Sequence, residues 1–189
     1  MRILIACEYS NIVASAFRSK GHAVLSCDLL KNDVTQEWHF QCDVFKLLSL
    51  YSFEMMIAFP PCTFLCKAQI PLLYHSPSRI LESCKAVGFV RTLYNFNIPK
   101  IAIENPIGIL SSVWRKPDQI TSPSNFGNPH KKDICLWLKN LPPLIDTCIN
   151  PRNQYVGNHT NGRMSQTEKS HIKSKFFPEL ASAMANQWS

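Results

Sequence analysis

Cys62 stands where a nucleophile is useful. It closes the run Met55-Met-Ile-Ala-Phe-Pro-Pro-Cys. Met55–Ala58 is uniformly apolar, which predicts a short strand buried on both faces. Phe59 and two prolines end the ladder, because proline has no N–H to donate. The thiol therefore sits on the turn leaving the strand. Glu104 holds the matching place after a second apolar run, Lys100–Ile103. Helical spacing over 79–95 supplies a crossover between the two runs, and such a βαβ unit is right-handed. Both side chains then fall on one rim of the sheet, the rim where α/β proteins hold ligands. A carboxylic acid beside a thiol suits addition of sulfur to a ring carbon while the acid protonates a ring nitrogen. The plainer alternatives are a small buried cysteine and a capping or salt-bridged acid.

The elements that must position this pair follow from pattern. Arg2–Ala6 and Ala23–Cys27 read as strands, and Val13, Ala16 and Phe17 recur at helical spacing between them, with Gly21 placed to end that helix. The order strand–loop–helix–strand–acid, with Asp28 at the second strand's tip, matches a cofactor half-fold in which the acid takes ribose hydroxyls. Asp28 also fits a cap or turn. The loop Cys7-Glu-Tyr-Ser-Asn11 has no glycine, and Asn11 is the residue best able to replace one at positive φ. Asp43 stands before Phe45, Leu47 and Leu48, able to meet an amino group or to cap the next helix. Ile80, Cys84, Val87 and Tyr94 form one arc of the 79–95 helix, predicted to be core. Ile134–Leu138 is a further strand, and Leu180, Met184 and Trp188 predict a core-packed helix over 178–188.

The Pro-Cys after one strand and Glu-Asn after the next resemble the signature of the DNA cytosine-5 methyltransferases. The chain is similar, over nearly its whole length, to small phage proteins of that kind. It shares Ala-Cys-Glu-Tyr-Ser at 6–10, Ser-Cys-Asp-Leu at 26–29, Pro-Pro-Cys-Thr at 60–63, Ala-Ile-Glu-Asn-Pro at 102–106, Lys-Pro-Asp-Gln-Ile at 116–120 and Cys-Leu-Trp-Leu at 135–138. The resemblance implies a single α/β domain over 1–189, a mostly parallel Rossmann-like sheet of the S-adenosylmethionine-dependent methyltransferase fold. It implies S-adenosylmethionine as cofactor, held by Glu8, Tyr9, Ser10, Asp28, Asp43 and Pro60. Cys62 would be the nucleophile and Glu104 the acid, with Asn105 among the nucleic-acid contacts. The chain also departs from the family. The glycine-rich first loop is Cys7–Asn11. The family's Gln-x-Arg-x-Arg segment falls on His130-Lys-Lys-Asp-Ile134, where Lys132 can replace one arginine and Ile134 cannot replace the other. Only Leu141–Lys175 remains where the family has a large target-recognition domain.

Composition adds bounds. The 189 residues are 46% hydrophobic and 17% charged, which argues for a folded core rather than disorder. The N-terminus enters a strand pattern directly and no apolar run is long enough for a membrane, so a cytoplasmic protein is expected. Eight scattered cysteines in a chain of this size suggest reduced thiols. Cys62 and Cys66 lack a second pair at zinc spacing, so no metal is expected. Charge is uneven. Residues 111–189 carry ten basic and five acidic residues, most of the net +7, and a basic half suits nucleic acid. The stretch 107–133, with Pro117, Pro123 and Pro129, reads as a long irregular connection beside the site. It interleaves Trp114, Arg115, Lys116, Lys131 and Lys132, the residue types that stack bases and hold phosphates. Residues 144–170 are polar, with Arg152, Arg163 and Lys169 available to phosphates or solvent. Three functions fit: low-specificity methylation of cytosine in DNA, with a protein partner if targeting is needed; the same chemistry on a free pyrimidine nucleotide; or a non-catalytic phage protein that binds nucleotide or nucleic acid.

Overall fold

The computed structural model describes residues 1–31, 37–67, 70–73, 76–129, 131–148 and 176–189. The expected polar segment from 149 onward, with Arg152, Arg163 and Lys169, and His130 lie outside the described residues. The strands are β1 (Arg2–Ala6), β2 (Ala23–Asp28), β3 (His39–Gln41), β4 (Met55–Ala58), β5 (Lys100–Pro106), β6 (Gln119–Thr121) and β7 (Ile134–Lys139). The helices are α1 (Ile12–Arg18), α2 (Val44–Leu50), α3 (Ile70–Leu73), α4 (Pro77–Tyr94), α5 (Leu110–Val113) and α6 (Pro178–Trp188).

The strands form one sheet in the order β3-β2-β1-β4-β5-β7-β6. β1 to β5 run parallel, and β7 lies antiparallel between β5 and β6. This is the mostly parallel, Rossmann-like α/β sheet that the sequence predicts. The chain order reverses between β1 and β4, which opens a crevice beyond the carboxyl ends of those strands.

Successive strand residues face opposite sides, and the core divides accordingly. Ile3, Ile5, Met55, Ile57, Leu136 and Leu138 meet α1 and α6 on one face. Leu4, Ala6, Met56, Ile101, Ile103 and Trp137 meet α2, α4 and α5 on the other. Leu180, Met184 and Trp188 are buried as their spacing predicts, each worth roughly 1.5–3 kcal/mol of apolar burial. The predicted arc of α4 is displaced. Ile80 is 50% exposed and Cys84 is exposed, while Ser83, Val90 and Leu93 are buried. Val87 and Tyr94 of the predicted arc do pack against the core, so the buried face is rotated toward Ser83, Val90 and Leu93 rather than reversed.

The connection 107–133 is not irregular. It holds α5, the edge strand β6 and a 3-10 turn, Pro123–Phe126. The prolines that read as breakers flank these pieces instead: Pro117 precedes β6 and Pro123 opens the turn. Among the described residues no helix is long and apolar enough to cross a membrane. All eight cysteines are free thiols.

Candidate active site

A cleft of about 780 Å³ lies beyond the carboxyl ends of β1, β2, β4 and β5. Cys62 and Glu104 both line it, together with Cys7, Glu8, Tyr9, Asp28, Asp43, Pro60 and Lys132. Register explains the pairing. Ala58 pairs with Ile103, so Glu104 is the first β5 residue past the end of β4. Cys62 follows Ala58 by four residues, over the same rim. The strand itself runs further than expected, because β7 pairs with Glu104, Asn105 and Pro106. Glu104 therefore rises from a fixed backbone rather than from a loop.

The electrostatics separate the two groups. Burial pushes the Glu104 carboxyl up to about 7, against the opposing pull of Lys132. A carboxyl so placed holds a proton near neutral pH and can give it away. The Cys62 thiol is also raised, first by burial, then by Cys66 and Glu104, with Lys132 acting the other way. The pull of the Lys132 ammonium is outweighed by desolvation and two acidic neighbours. Protonation of Glu104 removes one of those neighbours' charges.

The first loop is shaped by backbone geometry. Asn11 has φ 58° and Cys7 also has φ 58°, the left-handed region that asparagine tolerates and most residues avoid. Asn11 is held there by Arg18, whose Nη1 donates to its Oδ1 at 2.7 Å, and by its own Nδ2 donating to Ser15 Oγ at 2.7 Å. Glu8 is a capping acid. Its carboxylate accepts the Val13 N–H at 2.8 Å, the Ala14 N–H at 3.2 Å and the Ser10 hydroxyl at 3.0 Å. The Glu8 side chain is thus held by α1 although the residue lines the cleft, and Ser10 turns to it rather than lining the cleft. Asp28 is half-buried in the cleft with Oδ1 accepting the Leu30 N–H at 2.8 Å, and burial raises its pKa. Asp43 Oδ1 caps α2 by accepting the Phe45 N–H at 2.8 Å, while the residue still lines the cleft.

The expected nucleic-acid residues divide. Lys132 lines the cleft, its Nζ 5.8 Å from the Phe177 ring centroid. Lys131 and Lys116 are exposed. Asn105 is 1% exposed and donates to the Pro60 carbonyl at 2.8 Å, so it ties the 59–67 segment to the end of β5 and is turned away from the surface. Trp114 packs against Tyr94 and Trp137, with ring centroids 5.1 and 5.9 Å away. Arg115 donates to the Tyr94 hydroxyl at 2.7 Å and pairs with Asp118. These two are structural and do not line the cleft. Their interleaving is the same in a stacking platform and in a cation–aromatic cluster; partners distant in sequence decide.

Sequence reasoning missed the aromatic wall. Phe59 and Phe176 stand 4.7 Å apart between ring centroids, and Phe177 joins them. All three line the cleft. The available signal was the pair of phenylalanines directly ahead of Pro178, more apolar surface than a helix start requires. Cys7, Cys27 and Cys42 also line the cleft, and burial raises all three thiols. Among the described residues no cluster of His, Cys, Asp or Glu can hold a metal ion.

No family model matches the chain, and no curated protein matches it. Among solved structures, it is similar to an E. coli protein encoded within a prophage, whose assignment as a DNA modification methyltransferase is itself a proposal. The TM-score is 0.49 at 13% identity, over 73% of this chain and 46% of that one. The chain thus spans less than half the length of that protein, and so slight a likeness carries no argument about function.

Proposed function

We propose that this chain transfers a methyl group from S-adenosylmethionine to carbon 5 of cytosine in DNA, with little reading of sequence. The observation that carries the proposal is the pair itself: Cys62 and a Glu104 carboxyl raised to about 7 share one cleft. Once its proton has passed to water, Cys62 Sγ adds to ring carbon 6 as Glu104 gives its own proton to ring nitrogen 3, and the ring's electron pair is left available at carbon 5. Carbon 5 takes the methyl group. Water then takes the carbon 5 proton, nitrogen 3 returns its proton to the Glu104 carboxylate, and the pair left in the ring expels the Cys62 sulfur as thiolate. The Phe59–Phe176 wall offers a face for a flat ring.

The residues present fit the cofactor. Asp28 is a half-buried carboxylate on the rim of β2, suited to ribose hydroxyls. Asp43 has Oδ1 engaged at α2 and stands at the same end of the cleft, suited to an amino group. Cys7–Tyr9 offer backbone at the tip of β1. Pro60 contributes its ring, since its carbonyl accepts from Asn105. When bound, the cofactor supplies an electrophilic methyl group on a cationic sulfur. A base inside a duplex must leave the stack to reach Cys62.

One observation favours a free pyrimidine nucleotide instead. Among the described residues the cations lining the cleft are Lys85, already paired with Glu82, and Lys132. The test is transfer of tritium from labelled S-adenosylmethionine to duplex DNA, single-stranded DNA, RNA and free cytidine nucleotides in parallel. The proposal expects label in DNA at many cytosines, falling steeply with salt. Label confined to a free nucleotide establishes the second substrate, and salt-independent methylation of one long site refutes the low specificity.

A further inference from the structure

Cys62 and Glu104 are carried by separate segments, 59–67 after β4 and 104–109 ending β5. Neighbouring strands place their bases, but pairing of β4 with β5 stops at Ala58 and Ile103. Beyond that point three links join the two segments. Asn105 Nδ2 donates to the Pro60 carbonyl at 2.8 Å. The Ile109 N–H donates to the Leu65 carbonyl at 2.9 Å, and the Lys67 N–H to the Ile107 carbonyl at 3.2 Å. The last two flank an antiparallel bridge between Cys66 and Gly108. The Cys62 carbonyl accepts from the N–H groups of Leu65 and Cys66, so the turn bearing the thiol is continuous with the bridge.

The bridge leaves no room at residue 108. A Cβ there would overlap the Leu65 carbonyl oxygen and lie 2.8 Å from the Leu65 carbonyl carbon and 3.0 Å from Cys66 Cα. These neighbours are backbone, which cannot swing aside as a side chain can. Any residue other than glycine must push the 62–67 turn away from β5.

We propose that Gly108 is a positioning residue: its bare backbone clamps the 62–67 turn against the end of β5 and so sets Cys62 at a fixed distance from Glu104. This rests on the reading of Cys62 and Glu104 as the reacting pair. Asn105 secures the same turn from its other end. Neither residue touches a substrate; both act through the place they give to the thiol.

Thiol chemistry tests the clamp without any methyl transfer. The rate of Cys62 alkylation by iodoacetamide is followed against pH by peptide mass spectrometry. The variants are the unaltered protein, Glu104→Gln, Gly108→Ala and the double replacement. With Gly108 in place, Glu104→Gln removes a close negative charge and moves the Cys62 midpoint down by about one pH unit. With Gly108→Ala the same replacement moves it by less than half as much. Equal movement in both backgrounds overturns the proposal. Lys67→Pro is the second variant, should Gly108→Ala not fold. It deletes one bridging N–H at an exposed residue, and it too must shrink the shift. Coupling between Cys62 and Glu104 that Gly108→Ala weakens supports the clamp even in a protein that transfers no methyl group, so the two readings fail separately.

Discussion

Glu104→Gln is expected to stabilise the protein at alkaline pH while abolishing its proton-donating capacity. In the folded chain the Glu104 carboxyl is raised from an ordinary 4.5 to about 7 by burial. Its folded state therefore keeps a proton that the unfolded state has already lost. For a carboxyl raised in this way, the cost is absent below the unfolded value. It grows as pH rises through the window from 4.5 to about 7, and is constant above it. Each tenfold difference in proton affinity is about 1.36 kcal/mol, so the full cost is on the order of 3 kcal/mol before water entry and relaxation lessen it. Glutamine has similar shape and no ionisation. Urea unfolding of both proteins at acid, neutral and alkaline pH gives the comparison. Their stabilities should be close at the acid end and should diverge by about 2–3 kcal/mol in favour of the variant at the alkaline end. A difference that does not change with pH refutes the raised carboxyl and removes the proton donor from the mechanism.

Asp28→Ala should weaken S-adenosylmethionine binding by about 1.5–3 kcal/mol, the scale of a hydrogen bond to a charged group, as read by calorimetry. Cys62→Ser should abolish methyl transfer with cofactor binding kept, since only sulfur is nucleophilic enough, whereas Cys66→Ser should be mild; equal losses in a tritium assay count against the assigned nucleophile. Asn11→Ala should cost about 1–3 kcal/mol in urea unfolding, through positive-φ strain and the lost Arg18 and Ser15 bonds. Asn11→Gly should cost less than Asn11→Ala, because glycine accepts that backbone.

The parts of the molecule legible in sequence are those whose identity depends on burial of a continuous run. β1, β4 and β7 are apolar runs interrupted only by Arg2 and Lys139 at their ends, and their limits fall within a residue of expectation. β3 and β6 are three-residue edge strands, made strands by their neighbours and not by their own composition. The cleft was legible where chemistry follows a strand directly, as with Asp28, Cys62 and Glu104. It was illegible where role depends on a partner far along the chain. Asn105 reads as a base contact until the Pro60 carbonyl is in view. Arg115 reads as a phosphate ligand until Tyr94 and Asp118 claim it. Phe176 and Phe177 enter the site only because α6 packs on α1, a contact that no local pattern announces.

That packing of α6 on α1 carries a consequence for synthesis. Ile3, Ile5, Val13 and Phe17 leave the ribosome long before Leu180, Met184 and Trp188, the residues that cover them. The part of that face and of α1 that α6 covers must stay open while the rest of the chain is made. Contacts so distant in sequence slow folding and leave apolar surface open to wrong partners. The aromatic wall of the cleft arrives with the same late helix. A nascent chain can thus hold Cys62 and Glu104 at the ends of paired strands before Phe176 and Phe177 have been made to complete the wall of the cleft.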